Sequence, residues 1–168
     1  MANIKVAALS RELVLTAVLV GAATLAPLLH SQLVTGTIVN AALFAAVMLA
    51  GFRAATAVAV VPSLVALVVG TLPLVMAPMV PYIMAANIAL AGIFSVLGKT
   101  NYWLAAMVAS GVKFVLLAGS ASIVLGAITQ GKVSLALVSA MGWPQLITAV
   151  LGALVVYVAV ERKASKRM

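Results

Sequence analysis

The sequence has no cysteine and no aspartate, and its only carboxylate side chains are Glu12 and Glu161. Without cysteine there is no disulfide, no thiolate-bound zinc and no ordinary cysteine-ligated iron–sulfur cluster. The single histidine, His30, has neither thiol nor acid to join it, which makes a poor metal site. No glycine-rich phosphate loop of the Walker A type occurs, so any ATP hydrolysis has to come from a partner. No nucleophile–base pair stands out either, and the expectation is a protein that is not an enzyme and carries no cofactor.

Charge is equally scarce. Only 7% of the 168 residues are charged, whereas 66% are hydrophobic. Soluble domains carry about a quarter charged residues, so this balance points to a membrane protein. One helical span needs about 20 apolar residues, which leaves room for roughly six spans joined by short turns. The net charge of +8 invites a nucleic-acid reading. The basic residues, however, sit at the ends of apolar segments, where membrane proteins use them to set orientation, and nucleic acid is rejected as a partner.

The spans are predicted at about 12–29, 35–52, 54–72, 82–97, 103–125 and 143–160, forming one transmembrane domain over 1–168. The segment "PLVMAPMVP" (Pro73 to Pro81) has too many prolines for a helix and too little polarity for a solvated loop. It is placed at the membrane surface or folded back over the bundle. Residues 131–142 are amphiphilic and are expected along the interface. Tyr102, Trp103 and Trp143 read as interfacial anchors. With a cytoplasmic N-terminus, eight basic residues fall inside (Lys5, Arg11, Arg53, Lys99, Arg162, Lys163, Lys166 and Arg167) and only Lys132 falls outside. That bias predicts an all-α bundle of six transmembrane helices with both termini cytoplasmic.

One basic residue fits neither side. Lys113 lies within the fifth span, near the bilayer middle, where a lysine costs at least a few kcal/mol unless it faces the bundle or a wet cavity. Ser110, Lys113, Leu117 and Ser120 share one helical face, which is therefore pointed inward. Asn40, Asn87 and Gln145 approach the outer half from three other spans, with Gln32 at the first outer turn. These residues predict a pocket open to the outside and closed below, binding a neutral or anionic solute with Lys113 as counter-ion or donor. The alternatives are that Asn40 and Asn87 only bond neighbouring helices, and that Lys113 snorkels or bonds backbone carbonyls. The first span holds small residues four apart, Ala17 with Gly21 and Ala22 with Ala26, a spacing that allows close helix approach.

The stretches "QLVTGTIVNAALF", "PSLVALVVGTLPLVMAPMVPYIMAANI", "KTNYWL" and "WPQLITA" resemble a small bacterial group of substrate-binding S-components of energy-coupling-factor (ECF) transporters. The resemblance covers most of the chain. It implies a membrane subunit that binds a vitamin or other micronutrient near the outer face of the cytoplasmic membrane. It also implies docking on a transmembrane coupling protein driven by two cytoplasmic ATPases. The family's small-residue docking motif would fall on Ala17 and Gly21, or on Ala22 and Ala26. The chain begins Met1-Ala2-Asn3, without the Met-His of nickel and cobalt members, which argues against a nickel or cobalt substrate. A second class of function is a non-transport membrane subunit that anchors or assembles a larger complex.

Overall fold

The computed structural model describes residues 2–128 and 135–165, with side chains defined over 9–127 and 138–160. The elements are α1 (Ala2–Leu25), α2 (Gln32–Ala50), α3 (Phe52–Val69), α4 (Val80–Leu97), α5 (Tyr102–Ile128), a short α6 (Leu135–Ala140) and α7 (Trp143–Ser165), with no strand among the described residues. Six segments are long and apolar enough to cross a membrane: Leu9–Leu29, Gln32–Ala50, Phe52–Val69, Leu74–Leu97, Tyr102–Ala127 and Val138–Val160. The chain is a multi-pass membrane protein whose described spans are all helices, one of the two ways a backbone can satisfy its own hydrogen bonds in a bilayer.

Local chemistry sets the boundaries. Pro27 turns the end of the first span into a 3₁₀ segment, Ala26–Leu29, which closes at His30 in the left-handed conformation. Gly51 alone joins α2 to α3, at a φ of 87° that glycine adopts without strain. The third span stops at Val69, short of the expected 72, because Gly70 takes the left-handed C-cap. The sixth span ends at Val160 as expected, although its helix continues to Ser165, while the fifth helix runs on to Ile128 and the first helix begins well before residue 12. Of the two placements open to "PLVMAPMVP", the chain takes the second. Leu74–Met79 forms a 3₁₀ segment folded back on the bundle, burying Met76 and Met79 against Ala86, Leu117, Ala121 and Leu125. Lys132, Lys166 and Arg167 lie outside the described residues, as do residues 131–134 of the expected interfacial segment.

α2 is the hub, touching α1, α3, α4 and α7, while α5 packs against α4 and α7. α2 and α7 run parallel and meet through glycines, Gly36 against Thr148 and Gly152 against Asn40. Chain direction gathers Arg11, Arg53 and Lys99 at one end of the bundle, hereafter the basic end. Just inside it an aromatic lattice fills the core. Phe44 meets Phe94 edge-on at 4.7 Å, Phe94 meets Tyr102 at 5.3 Å, and Tyr102 and Trp103 both pack on Tyr157. Tyr102 is thus more than an interfacial anchor, since its hydroxyl donates to the Ala153 carbonyl at 2.6 Å and ties α5 to α7. Trp143, more than two-thirds exposed, stays at the periphery of the opposite half.

Candidate functional site

Lys113 sits eleven residues into α5, about 16 Å along the helix, and is 3% exposed. Its Nζ donates to Asn40 Oδ1 at 2.6 Å, and among the described residues this is its one acceptor. Asn40, fully buried on α2, is held in turn. Its Nδ2 donates to the Gly36 carbonyl at 2.8 Å and to Thr148 Oγ1 at 3.2 Å, and Thr148 donates to the Gln145 carbonyl at 3.1 Å. Both hydrogens of the amide are engaged, so its oxygen is the group left to face the ammonium. A directional chain therefore runs from α5 through α2 to the first turns of α7.

The chain borders a cavity of about 160 Å³ in the half of the bundle away from the basic end. Its lining draws on α1 (Ala23), the 3₁₀ turn (Pro27), α2 (Gln32, Gly36, Asn40), α3 (Pro62, Ser63), α4 (Ile83, Asn87), α5 (Lys113) and α7 (Gln145). Among the described residues no carboxylate side chain lines it. Gln32 and Gln145 both donate to the Ala140 carbonyl, at 2.7 and 3.3 Å, which joins the starts of α2 and α7 to the end of α6.

Of the residues singled out from the sequence, Lys113, Asn40, Asn87, Gln145 and Gln32 come together around this one cavity. Ser110 and Ser120 do not line it. Ser110 is fully buried one turn from Lys113, with its hydroxyl unpartnered among the described residues. Ser120 bonds back to the Leu116 and Leu117 carbonyls of its own helix, a local use that explains how a hydroxyl is tolerated there. Two residues went unnoticed in the sequence, Thr148 and Ser63. Each is a lone hydroxyl within an apolar run. Thr148 could have been found from its place one helical turn after Gln145, and Ser63 from its place next to Pro62 inside the third span.

A larger recess, about 810 Å³, lies between α1, α2 and α7 toward the basic end. It is a side groove rather than a site of convergent chemistry. Apart from Arg11 and Thr37 its lining is apolar, from Leu15, Leu19 and Ala22 across to Val155 and Val160. The two small-residue pairs of the first span separate here. Ala26 is 2% exposed and packed inside the bundle, and Ala22 lines the groove. Ala17 is exposed, and a Cβ built on Gly21 would have nothing within 4 Å.

No protein-family model matches the chain, and no curated protein or solved structure is detectably similar to it.

Proposed function

We propose that this protein is the solute-binding membrane subunit of an ECF-type uptake transporter, lying in the bacterial cytoplasmic membrane with both termini inside. In this reading the cavity opens to the outside and takes a neutral or anionic small organic solute. A transmembrane coupling protein and two cytoplasmic ATPases then drive release on the inner side. The chain performs recognition and no catalysis.

The observation that supports the reading is the polar cavity itself. In a chain this poor in charge, the one basic residue deep inside a span is turned inward, held by a polar chain and set at a recess that contains no acid. A lysine kept only for helix packing gains nothing from such a recess, whereas a solute-binding lysine requires one. The asymmetry of the bundle supports the direction, because Arg11, Arg53 and Lys99 gather at the end opposite the cavity, on the side that positive residues favour.

The small-residue surface of the first helix supports a docked partner, and Ala17 with Gly21 fits that role better than Ala22 with Ala26, because Ala26 is consumed by the bundle's own core. The groove beside it also suits a second reading, in which the chain anchors a larger membrane complex without transport. Isolation from native membranes under mild detergent separates the two. Co-isolated ATPases together with a small molecule identified by mass spectrometry support transport. A stable complex without ATPases, and with an empty small-molecule fraction, supports anchoring and removes the transport reading.

A further inference from the structure

The cavity's polar groups divide into those already engaged and those still open. Asn40 has its oxygen on Lys113 and both amide hydrogens placed. Thr148 is likewise engaged, and Gln32 and Gln145 are tied to Ala140. These groups belong to α2 and α7 and build the wall. The opposite wall, from α3, α4 and α5, is different. An ammonium carries three donors, and Lys113 uses one of them among the described residues. The Asn87 carboxamide, 3% exposed, makes no hydrogen bond to any described residue, and its Oδ1 is buried without a partner. The Ser63 hydroxyl, half-buried at the cavity wall, also makes no hydrogen bond to any described residue. A buried amide left unpaired costs free energy that native proteins rarely leave standing, so three open groups on three neighbouring helices mark where an occupant supplies the missing partners.

Resting on the solute-binding reading above, we infer that Lys113, Asn87 and Ser63 form the face that reads the solute, and that the solute is a compact hydroxy monocarboxylate rather than a ring-bearing cofactor. Charge fixes the first part. Among the described residues Lys113 is the one cation lining the cavity and no acid balances it, so one carboxylate completes it. Chemistry fixes the second part. Serine and asparagine each donate and accept, and their natural complement is a hydroxyl, which does both, rather than a second charge. Size fixes the third. About 160 Å³ is close to the roughly 150 Å³ cavity that holds one benzene, so the seated part has on the order of six to eight non-hydrogen atoms.

The test uses the purified chain in lipid nanodiscs and reads thermal unfolding and binding affinity. The probes are lactate, glycerate and β-hydroxybutyrate, their parent acids propionate and butyrate, the amide lactamide, and the ring-bearing carboxylates naphthoate and biotin. At least one hydroxy acid is expected to raise the unfolding midpoint, its parent acid to bind about tenfold more weakly, and the amide not to bind. Lys113→Met abolishes the effect. Ser63→Ala, which breaks no hydrogen bond among the described residues, erases the preference for hydroxy over parent acid while leaving the parent's affinity in place, and so does Asn87→Leu. Stronger Lys113-dependent binding of naphthoate or biotin overturns the compact class and leaves the solute-binding reading standing. Silence of every probe, together with an empty small-molecule fraction from native membranes, overturns both.

Discussion

A methyl group on Gly152 would lie 2.8 Å from Cβ of Asn40 and 2.7 Å from the backbone nitrogen of Ala41. The converse holds on the other helix, where a Cβ on Gly36 would meet Thr148 Oγ1 at 2.8 Å. The two glycines let α2 and α7 approach until Thr148 reaches the Asn40 amide. Close backbone approach through small residues is how membrane helices gain packing contacts when lipid offers no hydrophobic drive. Here it also aims the amide that holds Lys113.

Gly152→Ala should therefore do two things at once. Overpacking should destabilise the protein by about 1–3 kcal/mol, because the clash is with backbone and cannot be relieved by a rotamer. It should also part Asn40 from Thr148 and loosen Lys113. Gly21→Ala, at a site where a Cβ meets nothing, serves as the control. Thermal unfolding in nanodiscs checks the pair, and equal midpoints for both variants would show that the α2–α7 contact yields freely.

The Lys113–Asn40 bond predicts an unequal pair of substitutions. Lys113→Met removes the charge and keeps an apolar stem of similar length. Asn40→Leu instead strands a buried ammonium and leaves Thr148 without its donor. The second should be the more destabilising, by roughly 2 kcal/mol, since a stranded buried ammonium costs more than the neutral amide oxygen that Lys113→Met leaves unpaired. Adding Lys113→Met to Asn40→Leu should recover part of the loss. Strict additivity of the two in unfolding measurements would mean that they do not interact.

Much of this arrangement was legible in the sequence, and the rest was hidden for identifiable reasons. The spans were legible because a bilayer enforces length and apolarity, and Lys113 stood out because a deep lysine has so few acceptable surroundings. Asn40, Asn87, Gln145 and Gln32 could be brought to the same half of the bundle from chain direction alone. Pairing was not legible. Sequence spacing drew attention to small residues on the first helix, while the tight contact uses Gly36 and Gly152, whose partners lie more than a hundred residues away along the chain. Helix ends were missed where a backbone angle decides, as at Gly70. Ser120 looked like a member of the polar face until its bonds to Leu116 and Leu117 turned it back onto its own helix.

Orientation is open to a direct experiment, because the chain has no cysteine of its own. Single cysteines at Ser31 and Thr100 lie at opposite ends of the bundle, in the turns before α2 and before α5. An impermeant thiol reagent applied to intact cells should label the first and spare the second until the membrane is opened. The reverse pattern would put the cavity on the cytoplasmic side and remove uptake as its purpose.

The first helix offers the sharpest separation of surface from core. A side chain grown at Gly21 meets nothing within 4 Å, and Ala17 beside it on the same face is exposed. Ala26 is 2% exposed and packs inside. Ala17→Leu and Gly21→Leu should leave the unfolding midpoint of the isolated chain nearly unchanged, whereas Ala26→Leu should lower it, costing about 1–3 kcal/mol through overpacking. The order should invert for assembly. A leucine at position 17 or 21 holds a docking helix away from a backbone that small residues let it approach, so complex formation with the native partner should fall while solute binding by the isolated chain persists. If both surface variants assemble as well as the parent, measured by co-isolation at matched expression, the docking surface is not on this face of α1, and the groove beside Arg11 becomes the next place to probe.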